Sequence, residues 1–349
     1  MRYLFRLGKA DSGREVEDTK PWMPLGKVCM VAAPGGTGKS TFLAALAVSV
    51  AGAVETISGL RPLGHGGGGA RVLFVLAEED QAEVERKVYA ASRGLSLEQL
   101  ERVAENLWWF AGAGKPVRLY EPVERRHDGA AYSDNVQTER ETDFAQALTD
   151  RLNDNGPTPW NLVILDPASR FTGARDENDN QGATRFVESL EALAGTDCKP
   201  TVLIAHHTGK GKSDAGAEAA RGASSLVDGV RWVATMQRWT CENADEKAPR
   251  AIAVNVNKSN YTAEAPAMPT LWLRMTAIGE GLGTRLARET AAEAKERAEY
   301  AKGRAAAKDA DAKDAKAAKD AAAKDAKAAK DAAAKEEAEL AKARHTATL

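Results

Sequence analysis

The apolar run Lys27-Val28-Cys29-Met30-Val31 leads into Ala33-Pro34-Gly35-Gly36-Thr37-Gly38-Lys39-Ser40, and beyond Thr41 the residues Phe42, Leu43, Leu46 and Val50 fall on one face of a helix. A buried strand that turns through glycines into a helix is the setting of a phosphate-binding loop. A triphosphate has to be held by many backbone N–H groups at once, and glycines let the main chain curl round it without Cβ clashes. Residues Pro34, Gly35, Gly36, Thr37, Gly38, Lys39, Ser40 and Thr41 are therefore the candidate ATP cradle, with Lys39 reaching the β- and γ-phosphates and the Ser40 hydroxyl on Mg²⁺. The phosphates would lie at the helix N-terminus. Ala33 stands where the motif opens with glycine, which requires that it keep φ negative. An ordinary glycine-rich turn is the competing reading, and it leaves Gly-Lys-Ser in a strand-to-helix setting without a reason.

Strands and helices alternate outward from this motif. The run Gly64-His65-Gly66-Gly67-Gly68-Gly69 reads as a flexible connection, with His65 a loop residue rather than a ligand. It enters Arg71-Val72-Leu73-Phe74-Val75-Leu76-Ala77, apolar enough for a strand buried on both faces. That strand ends in Glu78-Glu79-Asp80 before a helix over 81–92, which sets carboxylates at the carboxyl edge of a parallel sheet, where open α/β sheets bind ligands. Leu107-Trp108-Trp109-Phe110-Ala111 reads as a third strand, and residues 113–140, with Arg125, Arg126 and His127, form a polar insertion of no assignable role. A helix over 138–153 leads to Asn161-Leu162-Val163-Ile164-Leu165-Asp166, a strand closed by an aspartate suited to Mg²⁺. A helix over 184–195 precedes the strand Thr201-Val202-Leu203-Ile204-Ala205, which runs into His206-His207. Late strands at 231–236, 251–256 and 271–275 close one edge, so the fold class is α/β with a mostly parallel central sheet flanked by helices.

The 349 residues carry 48 Lys and Arg against 50 Asp and Glu, a formal net charge of -2. No global basic field points to nucleic acid, so any contact with it must be local. Cys29, Cys198 and Cys241 lie far apart without metal-ligand spacing, and no signal peptide is recognisable; three buried thiols in a reducing cytoplasm are expected. No apolar run reaches the roughly 18 to 20 residues of a membrane span. The expected organisation is an N-terminal arm over 1–24, a nucleotide-binding core over 25–285 and a tail over 286–349. In the tail Ala, Lys and Asp dominate, and the unit spanning Ala312 to Ala322 recurs unchanged over 323–333. These residues favour helix apart from aspartate, and with alanine as the main apolar residue a solvated helix is favoured over a coiled coil. Its lysines could touch DNA phosphates, although the interleaved aspartates weaken that field.

Five stretches in order carry a family resemblance: the phosphate loop; Leu76-Ala77-Glu78-Glu79-Asp80; Ile164-Leu165-Asp166; Ala205-His206-His207-Thr208; and the run from Ala220-Arg221-Gly222 to Asp228-Gly229-Val230-Arg231-Trp232, followed later by Lys258-Ser259-Asn260-Tyr261. Over residues 20–275 the chain resembles the RecA-like hexameric helicases, a branch of the AAA ATPases, and most of all the RepA-type plasmid replicative helicases. The resemblance implies that Glu78 is the general base or water-orienting carboxylate, with Glu79 as the fallback, and that Asp166 accompanies Mg²⁺. It makes His207 a polar sensor of the γ-phosphate and Arg231 the arginine that reaches a neighbouring subunit's ATP, with Arg221 and Lys258 as further candidates. It points the loops 170–185 and 209–222 into a ring channel, where Arg170, Arg175, Lys210 and Lys212 would contact single-stranded DNA.

A cytoplasmic homo-oligomeric ATP hydrolase follows, a hexameric ring that translocates on single-stranded DNA and unwinds duplex in the replication of a plasmid, phage or mobile element. A replication initiator or primase would be among its partners. Plainer readings stay open: Glu78 and Glu79 as a solvated helix start, Asp166 as an N-cap before Ser169, Arg231 paired with Asp228 or packed on Trp232, and the loop cations simply solvated. A filament-forming recombinase or a regulatory ATPase of the same fold also stays open. The few residues before the phosphate loop leave little room for a polymerisation extension, which favours the ring.

Overall fold

In the computed structural model, which describes residues 2–8, 19–122, 139–154, 156–172, 180–208, 224–241, 244–245, 248–261 and 268–346, the strand before the phosphate loop lies inside a nine-stranded sheet. Strands β1 (Tyr3–Leu7) and β2 (Lys20–Pro24) precede it, and β3 (Val28–Ala33) runs into helix α1 (Lys39–Gly52). Then come β4 (Leu60–Pro62), β5 (Arg71–Leu76), α2 (Gln81–Ser92), α3 (Leu97–Asn106) and β6 (Leu107–Ala111). The hairpin β7 (Tyr120–Pro122) and β8 (Glu139–Glu141) leads to α4 (Asp143–Leu152), β9 (Trp160–Asp166) and a 3₁₀ turn, Ala168–Arg170. Helix α5 (Asn180–Ala194), β10 (Thr201–His207) and the short α6 (Ser224–Gly229) follow. Strands β11 (Trp232–Arg238), β12 (Ala251–Ser259), β13 (Leu271–Ala277) and β14 (Thr284–Arg288) complete the sheet, and α7 (Ala291–Thr346) ends the chain.

The sheet order is β14-β13-β12-β11-β3-β10-β9-β5-β6. Six neighbouring strands, β11 to β6, are parallel, and β12 to β14 add an antiparallel flank. Parallel strands need crossovers, so their helices cover both faces and the strands read as continuous apolar runs. In β3 the alternation divides the run between two cores: Cys29, Val31 and Ala33 enter the one that holds α1, and Val28, Met30 and Ala32 the one that holds residues of α4 and α5. Helix α1 departs from the one-faced helix expected from its sequence, since twelve of its fourteen residues are buried. It packs on β5 and β9 and against α2, α3, β4 and β14, and a helix covered all round has no polar face to show.

The N-terminal stretch contains more than an arm. Strands β1, β2 and β4 form a separate three-stranded sheet, joined to the core through Trp22, whose ring packs edge-on against Phe5 at 6.2 Å, Phe42 at 6.4 Å and Trp232 at 4.9 Å. The helix expected over 138–153 is shorter, because β8 takes its first residues to pair with β7. Cys29 is buried, whereas Cys198 and Cys241 are only partly so, and all three are free thiols. Thr240–Pro249 and Ala291–Leu349 make a unit of their own. Within it α7 runs unbroken through the alanine-rich repeat, and near its start the Tyr300 hydroxyl donates to the Asp245 carboxylate at 2.8 Å while Arg304 pairs with the same group at 3.4 Å. Among the described residues no helix is long and apolar enough to cross a membrane.

The glycine run after β4 is a fitted turn rather than a loose connection. Gly66 N–H donates to Ala53 O at 2.9 Å and Ala70 N–H to Val50 O at 3.2 Å, while the buried Asn106 amide donates to Ala51 O and Gly68 O. Gly69 has φ +82°, and a Cβ there would stand 2.1 Å from the Ala51 carbonyl oxygen; one on Gly68 would meet nothing within 4 Å. Gly69→Ala is therefore expected to cost about 3 kcal/mol or more in urea unfolding, and Gly68→Ala less than about 1 kcal/mol.

Candidate functional site

The loop between β3 and α1 takes its shape from two glycines in the left-handed region, Gly36 at φ +72° and Gly38 at +95°. Ala33 needs no such freedom: among the described non-glycine residues only Ala53 and Lys199 have positive φ. The Thr37 hydroxyl donates to Pro34 O at 2.8 Å and closes the loop on itself. Helix α1 opens at Gly38 with no side-chain cap, which leaves its first N–H groups facing outward for an anion.

Lys39, the first residue of α1, is buried, and its Nζ has no hydrogen-bond partner. Burial lowers its pKa, while the charges of Asp166 and Glu78 pull the other way. A buried ammonium without an acceptor is costly, and an anionic oxygen placed in the loop above it removes that cost. The loop therefore fits a nucleotide triphosphate.

Asp166 closes β9, buried beside Leu76 of β5, and its carbonyl accepts from Ala77 N–H at 2.8 Å. Of the three acidic residues after β5, Glu79 pairs with Lys87 at 3.1 Å and Asp80 caps α2 by accepting from Glu83 N–H at 2.9 Å. Glu78, exposed, is the one whose charge bears on Lys39. Among the described residues no group of three or more His, Cys, Asp or Glu forms a metal site. Ser40 and Asp166 supply a hydroxyl and a carboxylate, hard oxygen donors that suit Mg²⁺ when phosphate and water complete its shell.

At the end of β10 the two histidines part. His207 is exposed, whereas His206 is largely buried, and its pKa falls to about 4 through burial, the Lys39 charge and His207. Arg231 lies at the other edge of the sheet: its N–H donates to Val28 O at 2.9 Å, and its guanidinium stands 3.6 Å from Glu191. Lys258 is at the same edge, where its ammonium donates to Val227 O and Asp228 O, the carbonyls at the end of α6. Burial lowers its pKa, with Asp228 opposing and Arg231 adding to the shift. Arg170 is exposed at the end of the 3₁₀ turn. Arg175, Lys210, Lys212 and Arg221 lie outside the described residues, as do Arg125, Arg126 and His127.

Two residues that sequence reasoning missed stand at the phosphate loop. Arg238, the last residue of β11, donates through its guanidinium to Gly36 O. Met275 of β13 is partly exposed, and its Cε would lie 2.6 Å from a Cβ on Gly38. The signal for Arg238 was its place at the carboxyl end of a strand parallel to β3, which is visible only once that pairing is known.

The site generates two expectations. Because His206 in the folded chain binds its proton only near pH 4, against 6.5 unperturbed, the unfolded chain holds more protons between those values. Its contribution is complete above about pH 6.5 and lost as the pH falls toward 4, a total on the order of 3 kcal/mol, and His206→Gln should flatten that part of an acid-unfolding curve. Arg238→Ala should weaken binding of a fluorescent ATP analogue by about 5-fold, with thermal stability unchanged, since the loop loses its pin at Gly36.

Comparison with known proteins bears on the same residues. Residues 14–213, more than half of the chain, match the AAA domain family. Among solved structures, an ATPase domain determined on its own is similar at a TM-score of 0.45 and 14% identity, over 74% of this chain and 84% of that one. A DnaB-like replicative helicase, described with its interactions with primase, is similar at 0.46 and 13% identity, over 72% of this chain and 55% of that one. The chain thus spans about half the length of that helicase. A phosphate loop whose glycines, lysine and following helix are built as the sequence requires lies within the matched span, and the chain belongs to the AAA domain family of phosphate-loop ATP hydrolases.

Proposed function

We propose that this chain is an ATP-driven DNA helicase of the RepA type, working as a homohexameric ring on single-stranded DNA in the replication of a plasmid, phage or mobile element. The observation that carries the ATPase half is the buried, unpartnered Lys39 ammonium held between the charges of Asp166 and Glu78. In this reading Lys39 and the N–H groups of residues 35–41 hold the triphosphate, and Ser40 and Asp166 hold Mg²⁺, which supplies charge neutralisation at the phosphate oxygens. Glu78 orients and deprotonates the attacking water, the role for which a carboxylate clear of ion pairs at the adjacent strand tip is suited. His207, next in the chain to a neutral His206, reports the state of the γ-phosphate to the loop that follows. Arg170 and the loops after β9 and β10 supply the DNA contacts, and a replication initiator or primase is the partner expected.

The motor half is supported by the order of the motifs and by the placement of Arg231. Strand β3 separates the Val28 end, where Arg231 sits, from the phosphate loop by roughly 17 Å at 3.3 Å per residue. Arg231 therefore acts on a nucleotide held by another subunit, and its present pairing with Glu191, half-exposed on both sides, is weak enough to exchange.

Strand displacement on a forked DNA with ATP tests the proposal, with assembly followed by mass. Lys39→Ala and Arg231→Ala should each abolish unwinding while the ring persists. Mixing the two inactive variants should restore part of the ATPase, because an intact phosphate loop then meets an intact Arg231 from its neighbour. Hydrolysis without displacement would move the assignment to a recombinase-like or regulatory ATPase, and failure of the mixed rings to recover would remove Arg231 from the trans role.

A further inference from the structure

A second concave site lies at the carboxyl edge of the sheet. It is a cavity of about 460 Å³ between the segment after β6, the start of α4 and the turn Ala168–Arg170. Lys115, Arg118, Arg140 and Arg170 bring four positive charges to its wall, against Glu121 and Asp143. Glu121 is already engaged, since Arg140 Nε donates to it at 2.8 Å. Among the described residues the guanidinium groups of Arg118 and Arg170 have no hydrogen bond or ion pair. The Lys115 ammonium stands 4.5 Å from the centre of the Phe110 ring, and Phe144, partly exposed, packs between Phe110 at 5.6 Å and Phe171 at 6.4 Å.

We infer that this cavity binds the sugar–phosphate backbone of single-stranded nucleic acid, so that the path of the strand extends beyond the loops after β9 and β10. The inference rests on the proposed reading of the chain as a DNA motor. Uncompensated cations on a concave wall select an anion, and an aromatic ring beside them offers a base or sugar a face to lie on. A small phosphate-bearing molecule shares that chemistry, but sites for such ligands enclose most of the ligand surface. Here all four cations are exposed, as suits a polymer passing through.

The position also ties the cavity to the ATP site. Ser169 and Arg170 follow Asp166 through the 3₁₀ turn, and Phe171 O accepts from Leu119 N–H at 2.9 Å, so both walls move with the tip of β9. A strand held here would be gripped or released as Asp166 responds to its nucleotide.

The test is fluorescence anisotropy of a labelled oligo(dT) on the full chain with a non-hydrolysable ATP analogue, at several salt concentrations. Lys115→Ala/Arg118→Ala should lower affinity about 10-fold near physiological salt and flatten the slope of log K against log salt by about 1.4, roughly 0.7 for each phosphate no longer neutralised, with ATP-analogue affinity unchanged. Glu121→Gln, which strips Arg140 of its carboxylate, should instead tighten binding about threefold, a gain that misfolding cannot mimic. Equal oligonucleotide binding by wild type and both variants overturns this site and leaves the motor reading standing. Wild type that binds the ATP analogue but no oligonucleotide overturns both. Release of the oligonucleotide by submillimolar inorganic phosphate in wild type, but not in the double variant, makes the cavity a small-anion site and overturns the polymer assignment.

Discussion

A positive charge buried at the start of a buried helix is the constraint on which the rest of this structure depends. For the Lys39 ammonium to sit beneath the phosphate loop, the chain must turn through Gly36 and Gly38 at positive φ, and β3 must have parallel neighbours on both sides. Two of the flanking strands, β5 and β9, end in the carboxylates whose charges face the lysine, Glu78 and Asp166. The third, β10, ends in His206, which stays neutral because a second cation beside Lys39 in a low-dielectric site is unfavourable. Sheet order, strand polarity and local charge are thus one arrangement seen at three scales.

The sequence made this arrangement legible where a residue's type and its strand carried the same message. The apolar runs Val72–Leu76, Leu162–Leu165 and Val202–Ala205 could only be strands buried on both faces, and the acidic or histidine residues that end them were therefore at the carboxyl edge. The choice between Glu78 and Glu79 was not legible, because it depends on Lys87, one helical turn and a half into α2, which engages Glu79. Strands β1, β2 and β4 were hidden for another reason. Each is only three to five residues long, pairs across tens of residues and carries its main core contact on one tryptophan, Trp22. The glycine run was misread because composition reports conformational freedom, whereas its use here is close approach, Gly69 passing beneath the Ala51 carbonyl.

Strand polarity also sorts the basic residues into two groups that composition treats alike. Arg238 meets the phosphate loop of its own chain at the carboxyl edge, and Arg231 and Lys258 stand at the amino edge. Lys258 is committed to the carbonyls that end α6, so its side chain already serves as a helix C-cap. Arg231 is held only by a half-exposed ion pair with Glu191 and keeps its charge available.

Both arginines flank one strand. Arg231 precedes β11 and Arg238 ends it, roughly 23 Å apart at 3.3 Å per residue. Between them Trp232 to Met236 are buried and hydrogen-bonded to β3 on one side and β12 on the other, so the strand cannot bend to absorb a displacement at either end. In an assembly that brings Arg231 to the next subunit's phosphate loop, β11 becomes a rigid strut between two nucleotides, one touched through Arg238 and the other through Arg231. A change in either site would then reach the other along packed backbone, with no separate relay of side chains needed.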